Sequence, residues 1–429
     1  VPRSRPYLIA TALAVGALEM VLLALWQRNG YWDFSDGVYA ETAREVLRGA
    51  SLYRGVAAAQ PPPVYLLGAL LLAIHDGLAA IRTGLALVQL ATAGLVAVAV
   101  LRLSGERWLA LAAGLATPLL PIALHEHAQL IPETLAAPLL MAGALWCARR
   151  ERAVLGGVAL ALAASCKLAF IVPALAVVAL AADRRRAAAG LAGAGVLFGL
   201  VALLGYGSSL WTETVSAQFA LGAAPAHYVA GLIAQAAWSE LPLVAGVLAF
   251  GAVYVRGRRI DGPQAALSRT LLAAALGGLL LALTLFKHGS YISVLIVAEP
   301  PLLALACVGA LGLWRHAGLG GQIGVSAFAA LLAAQSLSLL VSPADPALAR
   351  RPGARSGLAE LSSPVAVSRA VATARRCPAG VAYSGPPYLA FLADRRMPGA
   401  QPDIFMLRYS STDLAFERSA AVDQPRCPR

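Results

Sequence analysis

Residues 31–65 read YWDFSDGVYAETAREVLRGASLYRGVAAAQPPPVY, and the architecture of the chain follows from this stretch. It places acids, an amphipathic segment and a proline triplet between hydrophobic segments. Asp33 and Asp36 come too far after the apolar run 7–26 to be buried within it. Tyr39, Ala43, Val46 and Leu47 fall on one face of a helix, and Glu41, Arg44, Glu45 and Arg48 on the other. A short helix of this kind lies flat on a bilayer surface. The rigid Pro61–Pro63 then turns the chain back toward the membrane. Two carboxylates are thereby held just outside the lipid, where an enzyme acting on a lipid headgroup would place its base.

The remainder of the chain has the composition of a membrane protein. Hydrophobic residues make up 59% and charged residues 13%, with a mean hydropathy of +0.71, which excludes an ordinary soluble domain. Apolar runs recur at about 7–26, 81–101, 108–123, 132–148, 187–206, 235–255, 270–286, 293–313 and 320–341. The stretch 153–182 is longer, is interrupted by Lys167 and is flanked by arginines, so it reads as a hairpin of two short spans. The expected total is about eleven crossings in an all-α polytopic protein. Val64–Ile74 is too short to cross and reads as a re-entrant or interfacial helix.

Arginines cluster at 3–5, 102–107, 149–152, 184–186, 256–259 and 315, which are alternate connections. The positive-inside rule predicts a multi-pass protein of the plasma (cytoplasmic) membrane with its N-terminus in the cytoplasm. Loops at about 27–80, 124–131, 207–234 and 287–292 are then external, as is the C-terminus. Residues 7–26 lack a small-residue cleavage site and read as a retained span. The chain divides into a transmembrane domain, 1–341, and a small external α/β domain, 342–429, in which Cys377 and Cys427 are expected to pair. The net charge of +12 fits anionic lipid surfaces and argues against nucleic acid as a partner.

Of 34 basic residues, only Lys167 and Lys287 are lysine, and both sit at external ends of membrane segments. Lysine presents a compact cation with three donors, suited to a phosphate in a confined site, and His288 adjoins Lys287. The competing reading is that both side chains snorkel to the interface. His125, Glu126 and His127 form an HxH pattern that could hold a divalent metal, hydrogen-bond a substrate, or simply be solvated. Three residues of one loop are an incomplete ligand set, so no cofactor is assigned. Glu133, after Pro132, opens a helix whose N-terminus favours an acid.

These residues carry a resemblance. Asp36-Gly-Val-Tyr39 through Gly49, Leu52-Tyr53 and Pro61–Tyr65 are similar to the first external loop of GT-C glycosyltransferases of the aminoarabinose-transferase and protein O-mannosyltransferase group. Pro132-Glu133, the hairpin around Ala163–Lys167, Lys287–Tyr291 and Ala298-Glu299-Pro300 extend the likeness in order along residues 1–341. The resemblance implies a polyprenyl-phosphate sugar donor and inverting transfer of a hexose or pentose. It also implies an envelope lipid, glycan or protein acceptor on the outer face. It gives the base role to Asp36, with Asp33 as a rival because some relatives carry an acidic pair slightly further upstream of the tyrosine. Tyr39, His125, Glu126, His127, Glu133, Tyr291 and Glu299 become candidate substrate residues. A polymer ligase or a transporter would share the topology. A transporter would usually show duplicated halves, and none is visible.

Overall fold

The computed structural model describes residues 5–29, 34–255, 262–287, 289–341, 364–378, 381–383 and 385–403. Asp33, His288 and Cys427 lie outside these residues. Every named element among the described residues is a helix. Helix α1 (Arg5–Asn29) leads to α2 (Phe34–Leu47) and α3 (Pro63–Ile74) of the first long loop. Then come α4 (Leu78–Ser104), α5 (Arg107–Ala116), α6 (Pro121–His125), α7 (Pro132–Cys147), α8 (Ala153–Cys166), α9 (Ile171–Ala179) and α10 (Arg184–Tyr206). Two short helices, α11 (Ser208–Trp211) and α12 (Ala217–Ala220), precede α13 (Ala226–Val255), α14 (Gly262–Leu280), α15 (Glu299–His316) and α16 (Gly318–Val341). The tail contributes α17 (Pro364–Arg375) and α18 (Pro387–Ala393).

By length and composition, five helical stretches among the described residues can cross a membrane: 78–104, 184–206, 226–252, 262–286 and 318–338. That is fewer uninterrupted spans than the eleven crossings expected. The reason is local chemistry. Pro118 and Pro121 end the run 108–123 after the ten residues of α5, because each proline removes a backbone donor. The stretch 153–182 does form two short helices, α8 and α9, with Lys167 between them. Helix α3 has 12 residues, about 18 Å at 1.5 Å per residue, and is too short for a hydrocarbon core of about 30 Å.

Helix α7 is the centre of the bundle, packed on α4, α8, α9 and α14, and it is apolar around its circumference. At the periphery, only 11% of the apolar window of α10 and of α16 is buried within the protein. These two helices present their leucine, valine and alanine side chains to lipid. Helix α10 crosses α8 at very short range. A Cβ at Gly157 would lie 2.1 Å from the Ala187 carbonyl oxygen, and one at Gly190 would lie 2.2 Å from that of Val154. Close backbone approach of this kind drives helix association where lipid removes the hydrophobic incentive.

The first long loop departs from the surface helix expected. Tyr39 and Ala43 are buried, and so are Glu41, Thr42, Arg44 and Glu45 of the charged face. The tail covers that face. Helix α18 packs on α2, and the Tyr388 backbone nitrogen stands 2.7 Å from where a Cβ on Gly37 would be. Arg44 lies over the Phe391 ring at 3.8 Å and donates to the Phe391 carbonyl. Arg396 pairs with Glu45 at 2.8 Å, and Arg48 with Asp394 at 2.6 Å. Charges patterned like a solvated face are therefore the interface between the first loop and the tail. The described part of the tail is helical and contains no strand, in contrast to the expected α/β character. Cys377 is disulfide-bonded, whereas Cys147, Cys166 and Cys307 are free thiols.

The crossing of α8 and α10 gives a direct test. Gly190→Leu should lower the thermal unfolding midpoint in detergent, by the equivalent of about 1–3 kcal/mol or more for overpacking. Gly193→Leu on the same helix should leave it unchanged, since nothing lies within 4 Å of the added Cβ there. Equal midpoints for the two variants would show that the crossing is not close-packed.

Candidate active site

The first turn of α2 presents successive side chains in different directions. Ser35, Val38 and Tyr39 face a cavity of about 490 Å³. Asp36 points elsewhere and is fully buried. Its Oδ2 accepts from Arg82 at 2.7 Å, and its Oδ1 accepts from the Leu130 backbone N–H at 2.7 Å. Arg82 also donates to the Ala128 carbonyl at 2.7 Å. Ala128 has φ of +54°, an unusual conformation for a residue with a Cβ, and is held by that bond and by the Gln89 carboxamide at 3.2 Å. Burial raises the Asp36 carboxyl above the ordinary carboxylate range, with Arg82 and the Leu130 bond opposing it. Asp36 is thus an anchor between the first loop, α4 and the 126–131 segment, and it is not on the cavity wall. Arg82, near the start of α4, is its partner.

The cavity brings together residues far apart in the chain. Lys167 follows the last turn of α8, and its Nζ lies 2.6 Å from Oε1 of Glu133 at the start of α7. Lys287 follows the 3-10 turn Leu281–Phe286, and its Nζ donates to the Gln218 carboxamide oxygen. Gln218 in turn donates to the Ala59 carbonyl at 2.9 Å, which ties the 208–221 segment to the first loop. Both lysines line the same cavity. Burial, and then the charge of Lys167, pull the Lys287 ammonium down to about 8. Tyr39, Tyr291, Thr284, Ser290 and Ser293 add polar groups to the wall.

Five of the expected residues therefore meet at one cavity: Lys167, Lys287, Glu133, Tyr39 and Tyr291. Of the other expected residues that are described, Asp36, His125, Glu126, His127 and Glu299 do not line it. His125 and Glu126 pair with each other at 2.9 Å, and His127 pairs with Glu19 of α1 at 2.7 Å, all of them buried. Burial raises the Glu126 carboxyl, and His125 partly offsets it. The two histidines serve different carboxylates, and no group of three or more His, Cys, Asp or Glu among the described residues could hold a metal ion. The metal reading of the HxH pattern does not fit this geometry. Glu299 accepts from the Ile122 and Ala123 backbone N–H groups at 3.1 and 3.0 Å, and so caps the first turn of α6.

Sequence reasoning missed Ser35, Thr214, Gln218 and Asp403 as cavity residues. The stretch 207–234, expected as a loop, contains α11, a π-helical turn at Thr212–Ser216 and α12. Such turns are frequent at functional sites, but their sequence carries no reliable signature.

The fold is that of the GT-C glycosyltransferases. The crystal structure of ArnT from Cupriavidus metallidurans bound to undecaprenyl phosphate matches with a TM-score of 0.61 and 14% identity, over 98% of this chain and 88% of that one. Its apo state matches with a TM-score of 0.60 and 16% identity, over 96% and 88%. The apo Archaeoglobus fulgidus oligosaccharyltransferase matches with a TM-score of 0.56 and 12% identity, over 93% of this chain and 65% of that one. No protein-family model matches the sequence. No curated protein is significantly similar to it.

The anchor role of Asp36 predicts an asymmetry. Arg82→Met leaves a buried carboxylate and the Ala128 carbonyl without their cation, and should cost about 3–5 kcal/mol of stability. Asp36→Asn keeps an acceptor for Arg82 and should cost less. Thermal unfolding of both variants in detergent checks this, and a more stable Arg82→Met than Asp36→Asn would contradict it.

Proposed function

We propose that this chain is an integral membrane glycosyltransferase that moves a sugar from a polyprenyl-phosphate donor to an envelope lipid, glycan or protein acceptor. The observation that carries this reading is that the chain's two lysines, 167 and 287, line one cavity in a GT-C fold. The similar ArnT structure holds undecaprenyl phosphate, which supports a lipid-phosphate donor here. A cavity of about 490 Å³ lies within the range of about 300–1,000 Å³ usual for small-molecule sites.

The arginine pattern supports an orientation with the N-terminus in the cytoplasm and the first loop and tail outside. The cavity then opens at the outer face. Residues 1–341 form the membrane domain, with about eleven traverses when the broken helices are paired, and residues 342–429 form the external domain.

The chemistry suits these residues. A sugar on a lipid phosphate already has a good leaving group, so no strong general acid is needed. Lys287 meets the phosphate and stabilises the charge that grows on it as the glycosidic bond breaks. Lys167, held by Glu133, adds a second positive centre and keeps its orientation through that pair. Hydroxyls of Tyr39, Tyr291, Ser290 and Ser293 supply hydrogen bonds for the sugar. The resemblance gives the role of base to Asp36, whose carboxyl accepts from Arg82 and from the Leu130 N–H.

Lys287→Met should weaken binding of undecaprenyl phosphate by about 1.5–3 kcal/mol, roughly 10- to 150-fold, the range for a hydrogen bond to a charged group. Because the Lys287 ammonium titrates at about 8 in the free protein, affinity of the parent should fall as pH rises through that value. The slope should flatten in Lys287→Met. Binding titrations of the detergent-solubilised protein across pH check both, and parental affinity in the variant would remove Lys287 from the phosphate site.

A further inference from the structure

We propose that Gln218 is a positioning residue for the donor phosphate, which orients the Lys287 ammonium and fastens it to the first loop. The inference rests on the reading of Lys287 as the partner of that phosphate. The Lys287 Nζ donates to the Gln218 side-chain oxygen, and the Gln218 Nε2 donates to the Ala59 carbonyl at 2.9 Å. An ammonium can only donate and a carbonyl oxygen can only accept, so the two ends of the carboxamide are not interchangeable. The Ala59 bond therefore fixes which end of Gln218 meets Lys287. Ala59, Gln218 and Lys287 all line the cavity, so the arrangement stands at its wall.

The segment that carries Gln218 is held on two sides. Toward the first loop, Ala217 is buried against Ala57, with Ala59 packed beside them. Just before the segment, Tyr206 at the end of α10 meets the Tyr53 ring edge-on, with centroids 5.2 Å apart. Toward Lys287, Ala223 forms an antiparallel bridge with that residue, and the Ala224 N–H donates to the Phe286 carbonyl at 2.8 Å. The Lys287 N–H itself donates to the Thr284 carbonyl at 2.9 Å. These contacts place the root of the lysine, but a flexible four-carbon stem separates it from the ammonium. The bond to Gln218 restrains the far end.

An ammonium has three donors, so Lys287 can hold Gln218 with one and present the others to a phosphate. An orientation set in advance removes part of the entropy that a free side chain would lose when the phosphate arrives. The neutral carboxamide restrains the cation without cancelling its charge, in contrast to Glu133, which pairs with Lys167 at 2.6 Å. As an acceptor it favours the charged form of Lys287, against the burial and the Lys167 charge that oppose that form. The acids on the wall are Glu133 and Asp403, and Glu213 is buried in the same segment as Gln218.

Full-length parent, Gln218→Leu, Gln218→Glu, Lys287→Met and the double variant Gln218→Leu with Lys287→Met are compared in detergent. Undecaprenyl phosphate binding is titrated across pH, and thermal unfolding is followed on the same samples. Gln218→Leu should bind roughly 3- to 12-fold more weakly at neutral pH, the range for one hydrogen bond. The pH at which affinity falls should drop below the parental value of about 8, because the ammonium has lost an acceptor. Gln218→Glu keeps an acceptor for Lys287 and should move that pH above the parental value, while its negative charge weakens phosphate binding. In the Lys287→Met background, Gln218→Leu should cost about 2-fold or less, since its effect passes through Lys287. A full penalty in that background, or a pH profile unmoved in both Gln218 variants, overturns the assignment. Loss of the fold in both Gln218 variants also overturns it, because the residue would then be structural. If Gln218→Leu alone fails to fold, an upward move of the profile in Gln218→Glu supports the assignment and an unmoved profile overturns it. Parental affinity in Lys287→Met removes the phosphate reading of that lysine and this inference together. A weakened Lys287→Met beside a parental Gln218→Leu overturns this inference alone.

Discussion

A buried ion pair between Asp36 and Arg82 holds the first long loop against the helical bundle. Its 2.7 Å contact, with the Leu130 and Ala128 backbone bonds on either side, joins α2, α4 and the segment leading into α7. Both side chains are buried, so each charge depends on the other. Removing one partner of such a pair costs far more than the pair contributes against an apolar alternative. Its value here is geometric. It fixes the rotation of α2, and with it which residues of the first turn face the cavity. It also holds Ala128 in a left-handed conformation that the chain would otherwise leave.

The cavity gathers positive charge in a half-buried setting. The Lys287 ammonium donates to the carboxamide of Gln218, with Lys167 near enough to depress its proton affinity further. Two cations brought together at the cost of repulsion make physical sense when an anion completes the site. Glu133 offsets one of them, and Asp403 stands on the same wall. The polar groups beside the lysines come from 3-10 turns and from a π-helical turn, where the backbone departs from α geometry. Irregular backbone within a membrane bundle is tolerated where it borders a cavity.

The tail is attached to this site through the charged side of α2. Arg44, Glu45 and Arg48 are bound by Phe391, Asp394 and Arg396, so the interface combines ion pairs with a cation–π contact. Exposed ion pairs contribute little singly, but Arg44 and Glu45 are buried and lose water on docking. The apolar part of α18, with Tyr388, Leu389 and Phe391, supplies the hydrophobic share of the contact. The first loop, read alone as a helix resting on the lipid surface, is packed between the bundle and the tail.

Much of this was legible in the chain itself. Apolar run lengths and arginine spacing identify a polytopic helical protein, because hydrocarbon admits only backbone that bonds internally. The rarity of lysine marked Lys167 and Lys287, and the motifs around Glu133, Tyr39 and Tyr291 marked their neighbours. Sequence could not say which acids face the cavity. Asp36 sits in the most suggestive motif yet turns to Arg82, 46 residues away, and Glu299 turns to the end of α6, 177 residues away. The partners of a buried charge are set by packing between distant elements, and no periodicity or spacing encodes them. The same holds for the helix count, where prolines broke apolar runs of sufficient length. Asp403 belongs to a stretch with no motif of its own, and its place at the cavity depends on Gln401, Ala57 and α18 together. Local chemistry therefore determined the membrane setting and the cations. Tertiary contacts decided which carboxylates stand beside them, because an acid's role depends on whether a cation, a backbone amide or open space meets it in the fold.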